Sequence, residues 1–353
     1  MGHPSIDNRT PFAFEPVYLT NEEARPLLVT VVRATYDIVG RRLEIAEKQA
    51  PVCVAGELWG DDAATSSWKL EPEMAFVKLA TDVVLIGHAY APRAGITEMD
   101  VRFQVGPVSR SARVVGDRVW VSRGGEVVMS RPKPFERMPL TWECAFGGWD
   151  PTAGTPERPE YEPRNPVGTG FRSRSGSFQE GVHLPNIEDP ANPIRSWGQV
   201  VAPVGFGFTA PNWHPRVLFG GTYDEAWMRE RMPLLPRDFD RRFFNAAAPG
   251  LVAPGFLRGD EQVAVAGASR FGSLSLRLPG APRPVCRVVI PRREDAIVET
   301  RLDTVVVNTD EDRVYLTWRG HVPLRNGPHD VKAIAIEAPG LRWQLQKAAA
   351  TAR

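Results

Sequence analysis

The string 139-PLTWECAFGGWD-150 opens a run that continues through 165-NPVGTGF-171, 184-LPNIEDP-190, 221-GTYDEAW-227, 235-LPRDFDRRFFNAA-247 and 256-FLRGDEQV-263. Every string but 184–190 couples Gly, Pro or Asn to Trp, Phe or Tyr, the residues of a chain that turns sharply while aromatic rings anchor its turns. The run carries no sustained helix or strand period, and so long a stretch of that kind is either disordered or functional. Its aromatic load argues against disorder, because disordered chains are poor in aromatics. The expectation is an ordered, irregular central segment over 139–260.

Working outward, both flanks read as strands. Met99, Val101, Phe103 and Val105 alternate with Asp100, Arg102 and Gln104, the period of two that marks a half-buried strand. Leu27 to Val39 is rich in β-branched residues and reads as one long strand. Val114 to Val121 reads as two short strands around Gly116-Asp117. Beyond the central run, Leu274, Leu276 and Leu278 alternate, as do Val314, Leu316 and Trp318, and 285–290 and 304–307 are further candidates. The fold class is therefore mainly β. Two β-sandwich-like lobes, about 15–138 and 261–337, are joined by the irregular segment; a single domain is the alternative.

Helices are few. Thr222 and Glu225 have capping-box spacing, with Thr222 as N-cap, Tyr223 and Trp227 on one face, and Pro233 as the far bound. A second helix is expected from Asp238, burying Phe239, Phe243 and Phe244 and stopping before Pro249-Gly250, and a tail helix from Leu341 to Ala350.

The central strings closely resemble the signature of domain-of-unknown-function family 2169, which occurs in bacterial type VI secretion gene clusters. The matching residues include Trp142-Glu143, Gly147-Gly148, Asn165-Pro166, Gly168, Asn186, Asp224, Trp227, Asp238, Asp240, Asn245 and Asp260-Glu261. The resemblance is strongest in the middle third and extends over roughly 15–337. It implies a non-catalytic adaptor or chaperone that binds a secreted effector (a toxin) and helps load it onto a spike protein of the VgrG or PAAR type. It supplies no catalytic residues.

Composition agrees with a soluble, cytoplasmic chain. The 353 residues carry 43 Lys plus Arg against 42 Asp plus Glu, so no general attraction to nucleic acid or anionic membrane is expected. A chain this long buries roughly three quarters of its unfolded surface and needs neither metal nor disulfide for stability. Cys53, Cys144 and Cys286 are odd in number and far apart, which suits a reducing compartment. The opening MGHPSIDNRT has neither the basic start nor the apolar core of a secretory signal, and Ile6 stands where a myristoylation motif needs Ser or Thr. The apolar run at 83–86 is far short of the ~20 residues that span a bilayer.

The motifs of catalysis and cofactor binding fail on chemistry. Gly205, Gly207 and Ala210 match a dinucleotide fingerprint, but Pro211 and Pro215 forbid the helix whose N-terminus would hold the pyrophosphate. Among the histidines there is no H-E-x-x-H pair, and C-x-x-C is absent. His321 and His329 flank a Gly-Pro turn without a further ligand in sight. Asn308, Asp310 and Asp312 have calcium-loop spacing, yet Arg313 stands where that loop needs Gly, so a polar hairpin turn is the better reading. No G-x-S-x-G elbow occurs, and Cys144 lies among aromatics as a buried, inert thiol would. No cofactor and no metal are expected.

Paired carboxylates are the strongest enzymatic alternative. Glu143, Asp150, Asp224, Asp238, Asp240, Asp260 and Glu261 all sit beside aromatic residues, as the acids of a glycosidase do. Helix caps, turns and ion pairs with Arg237, Arg241 and Arg242 explain the same residues without catalysis. The candidate partner-binding residues are Trp142, Trp149, Trp213, Tyr223, Trp227 and Phe239, with Arg241 and Arg242 as polar rim. Balanced charge suits an interface led by shape. A carbohydrate-active hydrolase and a structural component of the secretion apparatus stay open as alternatives.

Overall fold

The computed structural model describes residues 4–341. The fold is mainly β, with one α-helix and four short 3-10 turns among the described residues. Its largest sheet has six strands. Ala13–Thr20, Pro26–Val39, Arg313–Pro323, Arg301–Asn308 and Asp82–Ile86 lie side by side in that order, and Arg42–Ile45 pairs with the far end of Pro26–Val39. A five-stranded sheet runs Ile187–Glu188, Val108–Val115, Glu98–Val105, Gln262–Ala266, Ser273–Arg277. A four-stranded sheet runs Ser5–Asn8, Ala333–Glu337, Val285–Val289, Ala296–Glu299.

The strand readings hold. Pro26–Val39 is rich in apolar and β-branched residues on both faces because the sheet is covered on both. Leu28, Val32 and Ala34 enter the main core, while Leu27, Val29 and Val31 pack on the other side with Val52 and Phe76. Glu98–Val105 alternates because only one of its faces meets the core, through Val101, Phe103 and Val105. Residues 308–313 form the expected hairpin turn: Asn308 pairs with Arg313, and its side-chain oxygen accepts from the Asp310 and Glu311 amides.

Strand pairing crosses the expected divisions at 138 and 261. Thr30 lies opposite Gly320, Val83 beside Val305, Phe103 opposite Val265 and Ile6 beside Ile334. All three large sheets are thus assembled jointly from the two flanks, and one apolar core runs through them.

The central segment acts as cover for these sheets. Asp82–Ile86 ends the six-stranded sheet, and its outer side is met by irregular backbone: the Leu85 amide donates to Phe206 O, Val83 to Leu251 O, and Ala253 to Thr81 O. A sheet edge closed in this way offers no template for pairing with another chain. Phe206, Phe208, Ala246 and Leu251 then fill the core beside it.

Two corrections concern helices. The α-helix spans Glu225–Glu230 and its N-cap is Asp224, whose side chain accepts from the Trp227 amide at 2.8 Å. Thr222 is not the cap, because its amide and hydroxyl both donate to Asp238, at 3.0 and 2.7 Å. The second expected helix is only a 3-10 turn, Arg241–Phe244, capped by Asp240 rather than Asp238. Beyond Leu341 the expected tail helix lies outside the described residues.

Candidate interaction surface

The FGG and NPVG strings are two halves of one crossing. Phe146–Gly147 runs parallel to Thr169–Gly170, and the Asn165 amide side chain donates to Trp142 O and Phe146 O at 2.8 and 3.0 Å. Gly148 has φ +90°, and a Cβ there would stand 2.4 Å from Gly168 O. Only glycine tolerates both that conformation and that approach. The apparent dinucleotide glycines have a similar explanation. A Cβ on Gly205 would lie 2.6 Å from the Trp142 ring, so this glycine makes room for an indole.

Trp142 and Trp213, expected at a partner surface, are each only 3% exposed. They meet edge to face with centroids 5.9 Å apart, and the Trp142 indole donates to Phe208 O at 2.8 Å. Both are core residues that pin irregular backbone, and neither presents a ring to a partner.

The signature carboxylates serve the backbone and neighbouring arginines. Glu143 accepts from the Ser67 amide and hydroxyl. Asp150 accepts from the Thr152 amide and hydroxyl and from the Ser173 amide. Glu261 closes a turn by accepting from the Arg258 and Gly259 amides, and Asp260 pairs with Arg277 at 3.1 Å. Asn186 donates to Val115 O, and Asn245 bonds Ala80 O and Asp82, tying the loop after the aromatic cluster to the sheet edge. A glycosidase acid needs a raised pKa. Burial pushes the Asp150 carboxyl up, but hydrogen bonds from Thr152 and Ser173 outweigh it and hold it below the usual range. Thr222 does the same to Asp238, and Arg242 to Asp240. Burial raises Glu71 and Glu188, and each is paired with an arginine, Arg216 and Arg118 respectively.

Asp150 gives a pH prediction. Its folded pKa is depressed, so its contribution is present above the unfolded value of about 3.9 and is lost as pH falls through the folded one. Asp150→Asn is expected to flatten the acid limb of the stability curve below about pH 4, measured by urea unfolding from pH 2.5 to 7. An unchanged limb removes this assignment.

Several exposed apolar side chains fall in the short segment 218–232. Leu218, Tyr223, Met228 and Met232 are each more than half exposed, and the helix Glu225–Glu230 buries none of its residues. Its anchors lie at its ends. The Trp227 indole donates to Leu234 O at 2.8 Å, and Arg231 donates to Glu22 O and Leu235 O. Tyr223 stands edge-on to Trp227 with centroids 4.7 Å apart and is held upright. Phe239 packs against Phe243 and Phe244 and is half-buried. Arg241 pairs with Glu22, and Arg242 pairs with Asp240 while lying 4.3 Å over the Phe219 ring. Trp149 lies on a separate hairpin, stacked on Tyr161 at 4.3 Å with both rings exposed. Met228, Met232 and Leu218 escaped sequence reasoning; the only signal was a pair of methionines beside the Trp227 face.

Among the described residues no group of three or more His, Cys, Asp or Glu is placed to hold a metal, and no helix is long and apolar enough to cross a membrane. The three cysteines are unpaired. Burial pushes the Cys286 thiol up to about 11, so it stays protonated at neutral pH, and Cys53 and Cys144 shift in the same direction.

The architecture is that of a β-rich scaffold bearing an irregular aromatic belt. The chain belongs to the family described as an uncharacterized protein conserved in bacteria, DUF2169, whose model matches residues 23–319. Neither the curated proteins nor the solved structures contain a match.

Proposed function

We propose that this protein is a non-catalytic cytoplasmic adaptor or chaperone that binds a type VI secretion effector and helps load it onto a VgrG- or PAAR-type spike protein. The observation that carries the reading is the segment around the helix Glu225–Glu230: the helix buries no residue, and Leu218, Tyr223, Met228 and Met232 are each more than half exposed. Exposed apolar side chains held by a rigid support mark interaction sites rather than core. Methionine adapts to irregular partners, which suits a client surface that is incompletely folded. Tyr223, Arg241 and Arg242 supply amphipathic and charged contacts of the type that dominates interfaces.

The test is a tagged pull-down from the native bacterium with mass spectrometry. Recovery of a toxin-like protein together with a spike protein is expected, and Met228→Asp with Met232→Asp should abolish it while the unfolding midpoint stays unchanged. Recovery of neither, from folded protein in secreting cells, overturns the proposal.

A further inference from the structure

A cleft of about 520 Å³ lies between the run 76–79, Phe256 and the strand residues Arg301, Asp303, Arg319 and His321. Its walls are apolar, through Phe76, Val77, Leu79 and Phe256, while its floor carries charge. Most of that charge is already matched. Asp303 pairs with Arg319, Lys78 with Asp82, and Glu299 at the rim with Arg283. Burial, and then Arg241, lower the His321 pKa, so its imidazole is neutral at pH 7 and adds no cation.

Two guanidinium groups are left with unused capacity. Arg301 is exposed, forms no salt bridge among the described residues, and lies 5.2 Å over the Phe256 ring. Such a stack uses the face of the cation and leaves its N–H edge free. Arg319 has a side chain only 3% exposed. Its Nε donates to Asp303 and its Nη1 to Glu73 O and Ala75 O, but Nη2 makes no hydrogen bond and is sealed from water. That donor is inaccessible from the cleft, so Arg301 is the cation a ligand can reach.

We propose that this cleft binds a carboxylate carrying an apolar body. The carboxylate meets the free edge of Arg301 at the mouth, and the body lies on Phe76, Leu79 and Phe256. The charge count selects the class: one unmatched cation calls for one negative charge. A phosphate dianion would bring a second charge close to Asp303 and Glu299, and an ammonium would be repelled by the unmatched Arg301. Planar guanidinium edges also favour the two-oxygen geometry of a carboxylate. The same chemistry is offered by a free amphipathic acid and by the C-terminus of a partner chain.

The test is calorimetric titration of the full chain with 3-phenylpropionate and, separately, with 3-phenylpropionamide. The acid is expected to saturate with a Kd below about 1 mM, and the amide to bind at least about tenfold more weakly. Arg301→Gln should weaken the acid by a similar factor without moving the unfolding midpoint, because Arg301 is exposed and unpaired. A parallel pair, acetyl-Gly-Leu-Phe as free acid and as amide, identifies the source. Tighter binding of the peptide acid than of phenylpropionate assigns the cleft to a chain terminus, and weaker binding assigns it to a free acid. Equal binding of acid and amide, no saturation by either acid up to about 10 mM, or an Arg301→Gln variant that binds as before overturns the proposal.

Discussion

Asp82→Ala is expected to cost about 3–5 kcal/mol of stability, the loss seen when one partner of a buried ion pair is removed. The Asp82 carboxylate is fully buried and accepts from Lys78 Nζ at 2.7 Å, the Asn245 side-chain amide at 3.1 Å and the Ala246 amide at 3.0 Å. Without it the Lys78 ammonium, 6% exposed, keeps only the Thr304 hydroxyl at 3.0 Å. Burial has the largest effect on the Lys78 pKa and pushes it down, but Asp82, Asp303 and Glu71 together outweigh it and the net direction is up. The wild-type contribution is therefore fully present below the unfolded value of about 10.4 and is lost as pH rises through the folded one. In the variant only Asp303 and Glu71 oppose burial, the folded pKa drops below the unfolded one, and stability should rise with pH. Urea unfolding between pH 7 and 9.5 reads both the size and the reversed slope. Lys78→Met combined with Asp82→Asn should recover much of the loss, because no lone charge is then buried. A single variant within about 1 kcal/mol of wild type, the range of surface pairs, would show that the pair is solvated.

Gly148→Ala should cost about 2–5 kcal/mol, the sum of left-handed backbone strain and overpacking. The atom that obstructs its Cβ is Gly168 O, 2.4 Å away and part of the backbone, so no side chain can swing aside. Gly124 separates the two causes. Its φ is +60°, yet a Cβ there meets nothing within 4 Å, so Gly124→Ala should carry only the conformational penalty of about 1–2 kcal/mol. Urea midpoints of both variants check this. Equal losses would mean that the crossing of the two strings relaxes at no cost.

The strands were legible where periodicity has one cause. Glu98–Val105 alternates because one face is buried, and Pro26–Val39 carries apolar residues on both faces because both are. The helix cap was misread because Thr222 is captured by Asp238, 16 positions away, which local spacing does not reveal. Trp142 and Trp213 were expected at a partner surface and are buried instead, because residue type does not say which way a ring faces. Trp142 is swallowed where Gly205 leaves space for it, whereas Trp149 stacks on Tyr161 at the surface. The outward methionines were missed because a six-residue helix with no buried position has no inner face to fix the outer one. The cleft depends on Arg301 and Arg319 becoming strand neighbours, a relation that exists only after folding.

The joint construction of the sheets has a consequence for synthesis. Thr30 and Gly320 bond although they stand 290 positions apart, and Glu98–Val105 likewise waits for Gln262–Ala266. A nascent chain therefore emerges from the ribosome with its first long apolar strand and its whole aromatic belt before their main partners exist. Chains dominated by such distant pairings fold slowly and are prone to aggregate meanwhile. This protein should itself depend on general folding helpers during translation, and halting synthesis before residue 301 should yield insoluble fragments rather than a folded N-terminal half.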